Sequence, residues 1–252
     1  DGWRRPEVAA RTTAIVGLWE SDAWPNVHAS HTVVESTEDG WAWSLLVSAT
    51  RRYVTLMVDP TLDRVASRGG LEQAYLDQLR STRSLVPLVR DAKLTAPVFA
   101  REASPYSARA FAEPGVLLVG DAGSFVDPLS SFGVKKALAS AWLGSVVVHS
   151  ILSDASIRDA ALGLFHHRER SMYDALRRSA AVLAQDAAVA HSTSFWEARA
   201  VASGEPDMNL EPDVGALRTD PDVLRALDEL RRRATISLRR TPLVQCTARP
   251  TV

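Results

Sequence analysis

Cysteine is all but missing: the 252-residue chain has one, Cys246. A single thiol closes no internal disulfide and builds no Cys-rich zinc or iron–sulfur site. Lysine is nearly as scarce, with Lys93, Lys135 and Lys136 the only three among 29 basic residues. Charge of one sign is lacking too. The 29 basic and 30 acidic residues leave a net charge of −1, so no basic field advertises a nucleic-acid or anionic-membrane partner. No uninterrupted apolar run reaches the ~18 residues of a bilayer span, and residues 1–6 carry no apolar signal core. There is no Gly-x-Ser-x-Gly and no P-loop. The glycines at 69, 70, 115, 120, 123 and 133 do not compose a Gly-x-Gly-x-x-Gly after a strand. These absences predict a soluble, cytoplasmic protein without disulfides, metal, membrane span or nucleic-acid partner.

What is present suffices for a sizeable core, at 46% hydrophobic residues. Residues 11–19, 28–35, 41–48 and 53–59 are β-branched or aromatic runs with short connections, which predict an antiparallel meander. Residues 71–82 place Leu71, Tyr75 and Leu79 on one helical face. Residues 97–101 read as a further strand. The run 116–119 reads as a lone, fully buried strand short of parallel partners. A helix over 134–152 carries an apolar stripe at 134, 138, 141, 142, 145, 148 and 152. A second, long helix is expected over 157–190 and a last one over 221–234, with a loop at 203–215 and a loosely held Arg-rich tail after 235. The fold class is α+β, in three segments: a sheet with a helix (1–100), a strand–loop–helix (101–152) and a helical region (153–252).

The stretch from Glu113 to Trp142 holds the chemistry. An apolar run ends in Gly120-Asp121-Ala122, a loop carries Asp127-Pro128, and a helix opens near Phe132-Gly133-Val134. Asp121 stands at the end of the run, where open sheets place ligand-binding residues, and a carboxylate there can accept hydrogen bonds from sugar-like hydroxyls. Pro128 turns the chain away from helix and presents its carbonyl without a competing N–H. Gly133 lets a flat ligand approach the free N–H groups at a helix N-terminus, which favour partial negative charge. Gly-Asp alone is an ordinary turn dipeptide. Its spacing from Asp127-Pro128 and from Ser131-Phe132-Gly133 turns the reading toward a flavin-binding motif.

That segment resembles the second flavin-binding motif of the FAD-dependent monooxygenases and halogenases of the para-hydroxybenzoate-hydroxylase fold, and most nearly that of the flavin-dependent halogenases. The resemblance covers about residues 11 to 190. It implies part of an α/β flavoprotein, with 1–100 covering substrate and 101–152 holding FAD. Gly120, Asp121 and Ala122 would meet the cofactor, Asp121 at its ribityl chain. Pro128 would sit beside the isoalloxazine, with the Gly133 and Val134 amides facing the pyrimidine carbonyl. Gly40-Trp41-Ala42-Trp43-Ser44-Leu45 is similar to a halogenase Trp-x-Trp-x-Ile-Pro run, with Leu45-Leu46 in place of Ile-Pro. On a strand Trp41 and Trp43 share a face, as a pocket wall or as sheet packing. With Ser131 and Phe132 they are the substrate-pocket candidates. No catalytic residue is assigned.

By the same resemblance the substrate is a small electron-rich, aromatic molecule of secondary metabolism, and a flavin reductase is a further partner. Two departures bear on the reading. Phe132 stands where halogenases place a small hydroxyl residue beside the halide. The nucleotide-binding half and the lysine that relays hypohalite would lie upstream of Asp1, so the chain is expected to be the C-terminal part of a longer enzyme and inactive alone. A hydroxylase or reductase of the same fold, or an inactive scaffold fragment, are the alternatives.

The six histidines (28, 31, 149, 166, 167 and 191) do not share metal-binding faces and are expected to be ordinary solvated or capping residues. Gly120-Asp121 with Asp127 is also similar to the acidic motif of haloacid-dehalogenase-type phosphatases, at the wrong spacing. The arginine clusters 168/170, 177/178 and 231–233 alternate with acids and read as solvated faces.

Overall fold

The computed structural model describes residues 3–24, 32–60 and 70–201, and beyond them Thr219, Pro221, Leu224, Arg225 and Asp228. Residues 1–206 form one compact unit and 207–252 a second. In the second unit the five described residues are helical, within the stretch where sequence expects the last helix or just before it. The expected loop at 203–215, the tail after 235, His28, His31, Arg231 to Arg233 and Cys246 lie outside the described residues.

The first unit begins with β1 (Arg4–Pro6), β2 (Thr13–Glu20), β3 (Val33–Thr37), β4 (Gly40–Leu46) and β5 (Arg51–Val58). Two helices follow, α1 (Gly70–Leu79) and α2 (Leu85–Val89). Short strands come next: β6 (Lys93–Leu94), β7 (Phe99–Glu102), β8 (Tyr106–Ala108), β9 (Ala112–Glu113), β10 (Val116–Leu117) and β11 (Ser124–Phe125). The chain then turns helical in α3 (Gly133–Ser153), α4 (Arg158–His191) and α5 (Ser194–Ala200).

The main sheet is antiparallel in the order β3-β4-β5-β2-β6, with β7 also paired to β2. This corrects the simple meander. Strands β3 to β5 are one, but β2 lies on the far side of β5, in register from Thr13↔Val58 to Glu20↔Arg51. The connection over residues 21–32 is long enough to cross; the short ones between β3, β4 and β5 are not.

One face of this sheet is buried under α1 and α2, with Ile15, Trp19, Leu56, Tyr75, Leu79 and Leu85 in its core. Tyr75 Oη accepts from Trp19 Nε1 at 2.8 Å and donates to the Val54 carbonyl at 3.2 Å. Gly17 is what admits it: a Cβ there would stand 2.6 Å from that hydroxyl. The other face carries Trp41 and Met57 into a cluster with Ala184 of α4 and Phe195 and Trp196 of α5. Beside them Ala14 and Trp43 are partly covered by Phe125 and Leu129.

Two further corrections concern apolar runs. Val116–Leu117 is not a fully buried strand; it folds back antiparallel on Ala112–Glu113 across Pro114-Gly115, Gly115 taking φ +86°. Val116 is 44% exposed. Leu117 and Val119 cover one side only, against Gly144 of α3. The run does lie apart from the main sheet, as expected. The stripe on α3 is likewise turned outward, with Val134, Leu138, Trp142, Val148 and Leu152 all exposed, Leu152 by 82%. The face α3 turns inward holds Lys136, Ser140, Gly144 and Val147. Helical periodicity shows that an apolar stripe exists, not which side meets the rest of the fold. By length and composition alone α3 could cross a bilayer, yet its inward face is tied to the turn at Gly120.

Two of the arginines expected on solvated faces also point inward. Arg170 donates to Ser107 Oγ (2.9 Å) and to the Ala108 carbonyl (2.5 Å), and Arg177 pairs with Glu7 at 2.6 Å.

Candidate functional site

The loop from Gly120 to Gly133 is assembled on α3. Gly120 takes φ +59°, a left-handed backbone that glycine adopts without strain. Its N–H donates to Ser140 Oγ at 3.0 Å and its carbonyl accepts from Lys136 Nζ at 3.2 Å. Lys136 Nζ also donates to the Ser124 carbonyl and to Ser124 Oγ, and lies 3.3 Å from Asp121 Oδ1. One buried ammonium therefore pins both ends of the Gly120–Ser124 turn. Glu169 of α4, fully buried, completes the group, bonded to Ser140.

Desolvation pushes Lys136 below the ordinary lysine range, against the pull of Asp121 and Glu169. Burial pushes Glu169 upward, opposed by Ser140 and by the Lys136 charge. Asp127, which caps the turn Pro128–Ser130 by accepting from Leu129 N at 3.0 Å, is also raised by burial.

Asp121 keeps its outer side free. Its side chain is 60% exposed, at a groove of about 660 Å³ lined also by Arg4, Glu102, Ser104, Tyr106 and Phe125. Tyr106 and Phe125 stack with centroids 6.1 Å apart, and Arg4 lies 4.5 Å over the Tyr106 ring. Phe125 also lines a second, apolar recess of about 330 Å³ with Trp43, Tyr53, Met57, Phe99 and Pro128. The groove and the recess thus meet at one ring. α3 starts at Gly133, shortly after Pro128 in sequence, and Phe132 supplies no side-chain cap there. Gly133 and Val134 are exposed, and a Cβ on Gly133 would meet nothing within 4 Å. Their N–H groups have no partner inside the helix.

An exposed carboxylate at Asp121 and an apolar recess at Pro128 are the chemistry that a hydroxylated stem and a flat ring would meet. Trp43 Nε1 is buried with no hydrogen-bond partner among the described residues. The residues fit the ribityl and isoalloxazine half of FAD.

The family model described as tryptophan halogenase matches residues 13–233. The chain belongs to the tryptophan halogenase family. Among relatives of this halogenase-family chain is the tryptophan 2-halogenase of Chondromyces crocatus, 28% identical over 203 residues, which cover 78% of this chain and 38% of that protein. The chain therefore spans well under half the length of that relative. Among solved structures, the flavin-dependent halogenase CmlS superposes with a TM-score of 0.73 at 22% identity, over 82% of this chain and 38% of its own. The peptidyl tryptophan dihydroxylase QhpG, essential for tryptophylquinone cofactor biogenesis, gives 0.64 at 26% identity, over 79% and 44%. FAD is the cofactor of this family, and the α+β fold is the family's.

On this halogenase-family scaffold the expected site residues divide. Asp121 lines the groove and Pro128 the recess, Ala122 is exposed beside Asp121, Gly120 is buried against α3, and Gly133 and Val134 are exposed at the start of α3, lining neither the groove nor the recess. Trp43 lines the recess beside Pro128. Trp41, on the same strand face, lies beneath it in the cluster with Trp196 and is 3% exposed; the expected two-tryptophan wall is one tryptophan deep. Ser131, at φ 57°, and Phe132 are exposed and line neither the groove nor the recess, with Lys135 Nζ 5.6 Å from the Phe132 ring.

Sequence reasoning missed Lys136, Ser140 and Glu169. Lys136 and Ser140 are four apart on one helical face, a spacing that could have drawn notice. It also missed β1 (Arg4–Pro6), which brings Arg4 to the groove by pairing with β8. His166 accepts from Phe111 N at 3.1 Å and His191 bonds Ser36 Oγ at 2.9 Å. Among the described residues no three His, Cys, Asp or Glu side chains converge as a metal site.

A pH effect follows from the carboxyls. Glu169 binds its proton more tightly folded than unfolded, so the stability it contributes is full below about pH 4 and is lost as pH rises through its raised folded value. Glu169→Gln removes this titration. Across about pH 4 to 8 the Tm difference between wild type and variant should move in the variant's favour; a constant difference overturns the assignment.

Proposed function

We propose that this chain is the substrate-sheet and flavin-capping part of a flavin-dependent, halogenase-like oxidoreductase acting on a small electron-rich aromatic molecule. The observation that carries the reading is the meeting of the Asp121 groove and the Trp43 recess at Phe125, in the segment that leads into the uncapped start of α3. In this reading residues 1–100 cover the substrate, 101–152 hold the flavin and 153–252 buttress both. Asp121 holds ribityl hydroxyls, with Gly120 and Ala122 forming the turn beneath. Pro128, Gly133 and Val134 border the isoalloxazine, the two amides facing its electron-rich edge. Trp43, Ser131 and Phe132 border the substrate. A flavin held there, kept reduced by a partner flavin reductase, would supply the oxidising chemistry toward halide or ring. The chain's own residues orient the ring and keep water from it.

A second reading is hydroxylation. Phe132 offers no donor to a halide where a hydroxyl would, and a peptidyl tryptophan dihydroxylase is among the similar structures, at 26% identity.

The test uses the full-length enzyme with reduced FAD, O₂, bromide and a panel of phenols, pyrroles and indoles. Brominated product that rises with Phe132→Thr supports halogenation; hydroxylated product indifferent to bromide supports the second reading. Peroxide with no substrate turned over overturns both. Asp121→Ala should weaken FAD binding by about 1–3 kcal/mol, the cost of an unpaired buried hydroxyl. Unchanged affinity removes Asp121 from the site.

A further inference from the structure

The groove at Asp121 is lined by two carboxylates, Asp121 and Glu102, and by two arginines, Arg4 and Arg11. The carboxylates have local partners. Asp121 Oδ1 lies 3.3 Å from Lys136 Nζ, and Glu102 Oε1 accepts from Ser104 N at 3.1 Å. The arginines have none of that kind. Arg4 lies 4.5 Å over the Tyr106 ring, a contact that leaves a guanidinium's five N–H donors without an oxygen. Among the described residues no carboxylate or carbonyl accepts from the side chain of Arg4 or of Arg11.

Both arginines stand on backbone that is tied down. β1 carries Arg4 and pairs with β8 from Arg4↔Ala108 to Pro6↔Tyr106. Glu7 N donates to the Pro105 carbonyl at 2.9 Å, and the Glu7 carboxylate is held by Tyr173 and Arg177. The Arg11 carbonyl accepts from Arg199 at 2.7 Å. The two cations are thus presented on a preorganised segment, which lowers the cost of binding an anion. Strand alternation puts Arg4 and Pro6 on the groove, while Arg5 between them does not line it.

From Phe125, where groove and recess meet, contact passes to Tyr106, with centroids 6.1 Å apart, and from Tyr106 to Arg4. A flavin with its ring in the recess and its ribityl hydroxyls at Asp121 carries a phosphate ester as the next group along the stem. Phosphate oxygens match the planar fork of a guanidinium. We propose that Arg4 binds the phosphate at the end of the ribityl stem, with Arg11 adding positive charge in the same groove. The Arg4 contact rests on the reading of Asp121 as the ribityl partner.

The test titrates the full-length enzyme, freed of cofactor, with riboflavin and with FMN, followed by flavin fluorescence. The two share ring and stem and differ only in the phosphate. FMN should bind at least about tenfold tighter than riboflavin, as a charge-assisted bidentate contact requires. Arg4→Gln should erase most of that preference and leave riboflavin binding unchanged, which also shows that the variant folds. Arg4→Lys should restore the preference only in part, because an ammonium makes no bidentate contact. Arg5→Gln, one residue along the same strand, should change neither affinity. An FMN preference that survives Arg4→Gln, or that falls as far in Arg5→Gln, overturns the proposal. Asp121→Ala separates this failure from that of the flavin site. If it weakens neither flavin, the ribityl reading falls and takes the Arg4 contact with it. If it weakens both while Arg4→Gln spares the FMN preference, the Arg4 contact alone falls.

Discussion

Lys136→Met lowers the unfolding free energy of the chain by about 3–5 kcal/mol, the cost of breaking a buried charge group by removing one member. Lys136 is 2% exposed and donates to the carbonyls of Gly120 and Ser124 and to Ser124 Oγ. Methionine fills the space but donates nothing, so Ser124 loses this donor at its carbonyl and its hydroxyl, the Gly120 carbonyl is left with the Gly123 N–H, and Glu169 loses the compensating charge. Against a typical domain stability of roughly 5–15 kcal/mol the loss is severe. Adding Glu169→Gln should recover a good part of it, because the uncompensated carboxylate goes. Urea unfolding of both variants is the measurement. A single-variant loss under about 1 kcal/mol would mean that water replaces the ammonium, and that the turn is held by Ser140 instead.

Trp196→Ala should cost about 3–5 kcal/mol. The indole is fully buried and packs in one cluster with Trp41, Met57 and Phe195, edge-on to Phe195 at 5.1 Å. Its Nε1 donates to the Thr37 carbonyl at 2.8 Å. α5 has seven residues, too few to hold helical structure alone, so this side chain is its anchor to the sheet. Losing it frees Arg199 from Arg11 and Thr12 as well. Trp142→Ala is the control: at 70% exposed it should change stability by no more than about 0.5 kcal/mol. Equal losses in the two variants would refute the anchoring role.

These contrasts show where sequence reading succeeds and where it stops. The strands β2 to β5, the helices α3 and α4 and the Gly120–Gly133 motif are legible because each has a strong local signature: alternation, helical period, or turn residues at fixed spacing. Pairing between elements far apart in sequence leaves no such mark. Nothing near Thr13 announces Val58 as its partner, and nothing near Arg4 announces Ala108. α5 is under two turns long and shows no period. Lys136 looks like any helical lysine until the Gly120 turn is folded over it. The tryptophans of β4 fall on one face as their spacing requires, but only the arrival of α5 decides that Trp41 is fully covered and Trp43 only in part.

The outward stripe on α3 governs how the chain behaves as a colloid. Val134, Leu138, Trp142, Val148 and Leu152 run the length of a 21-residue helix with water against them. A net charge of −1 leaves almost no long-range repulsion to hold two such stripes apart. Concentrated solutions will therefore be governed by helix-to-helix sticking, worsened by added sulfate, which strengthens apolar burial. Handling buffers with mild detergent or a charged substitution at Leu138 acts on that stripe without touching the groove or the recess.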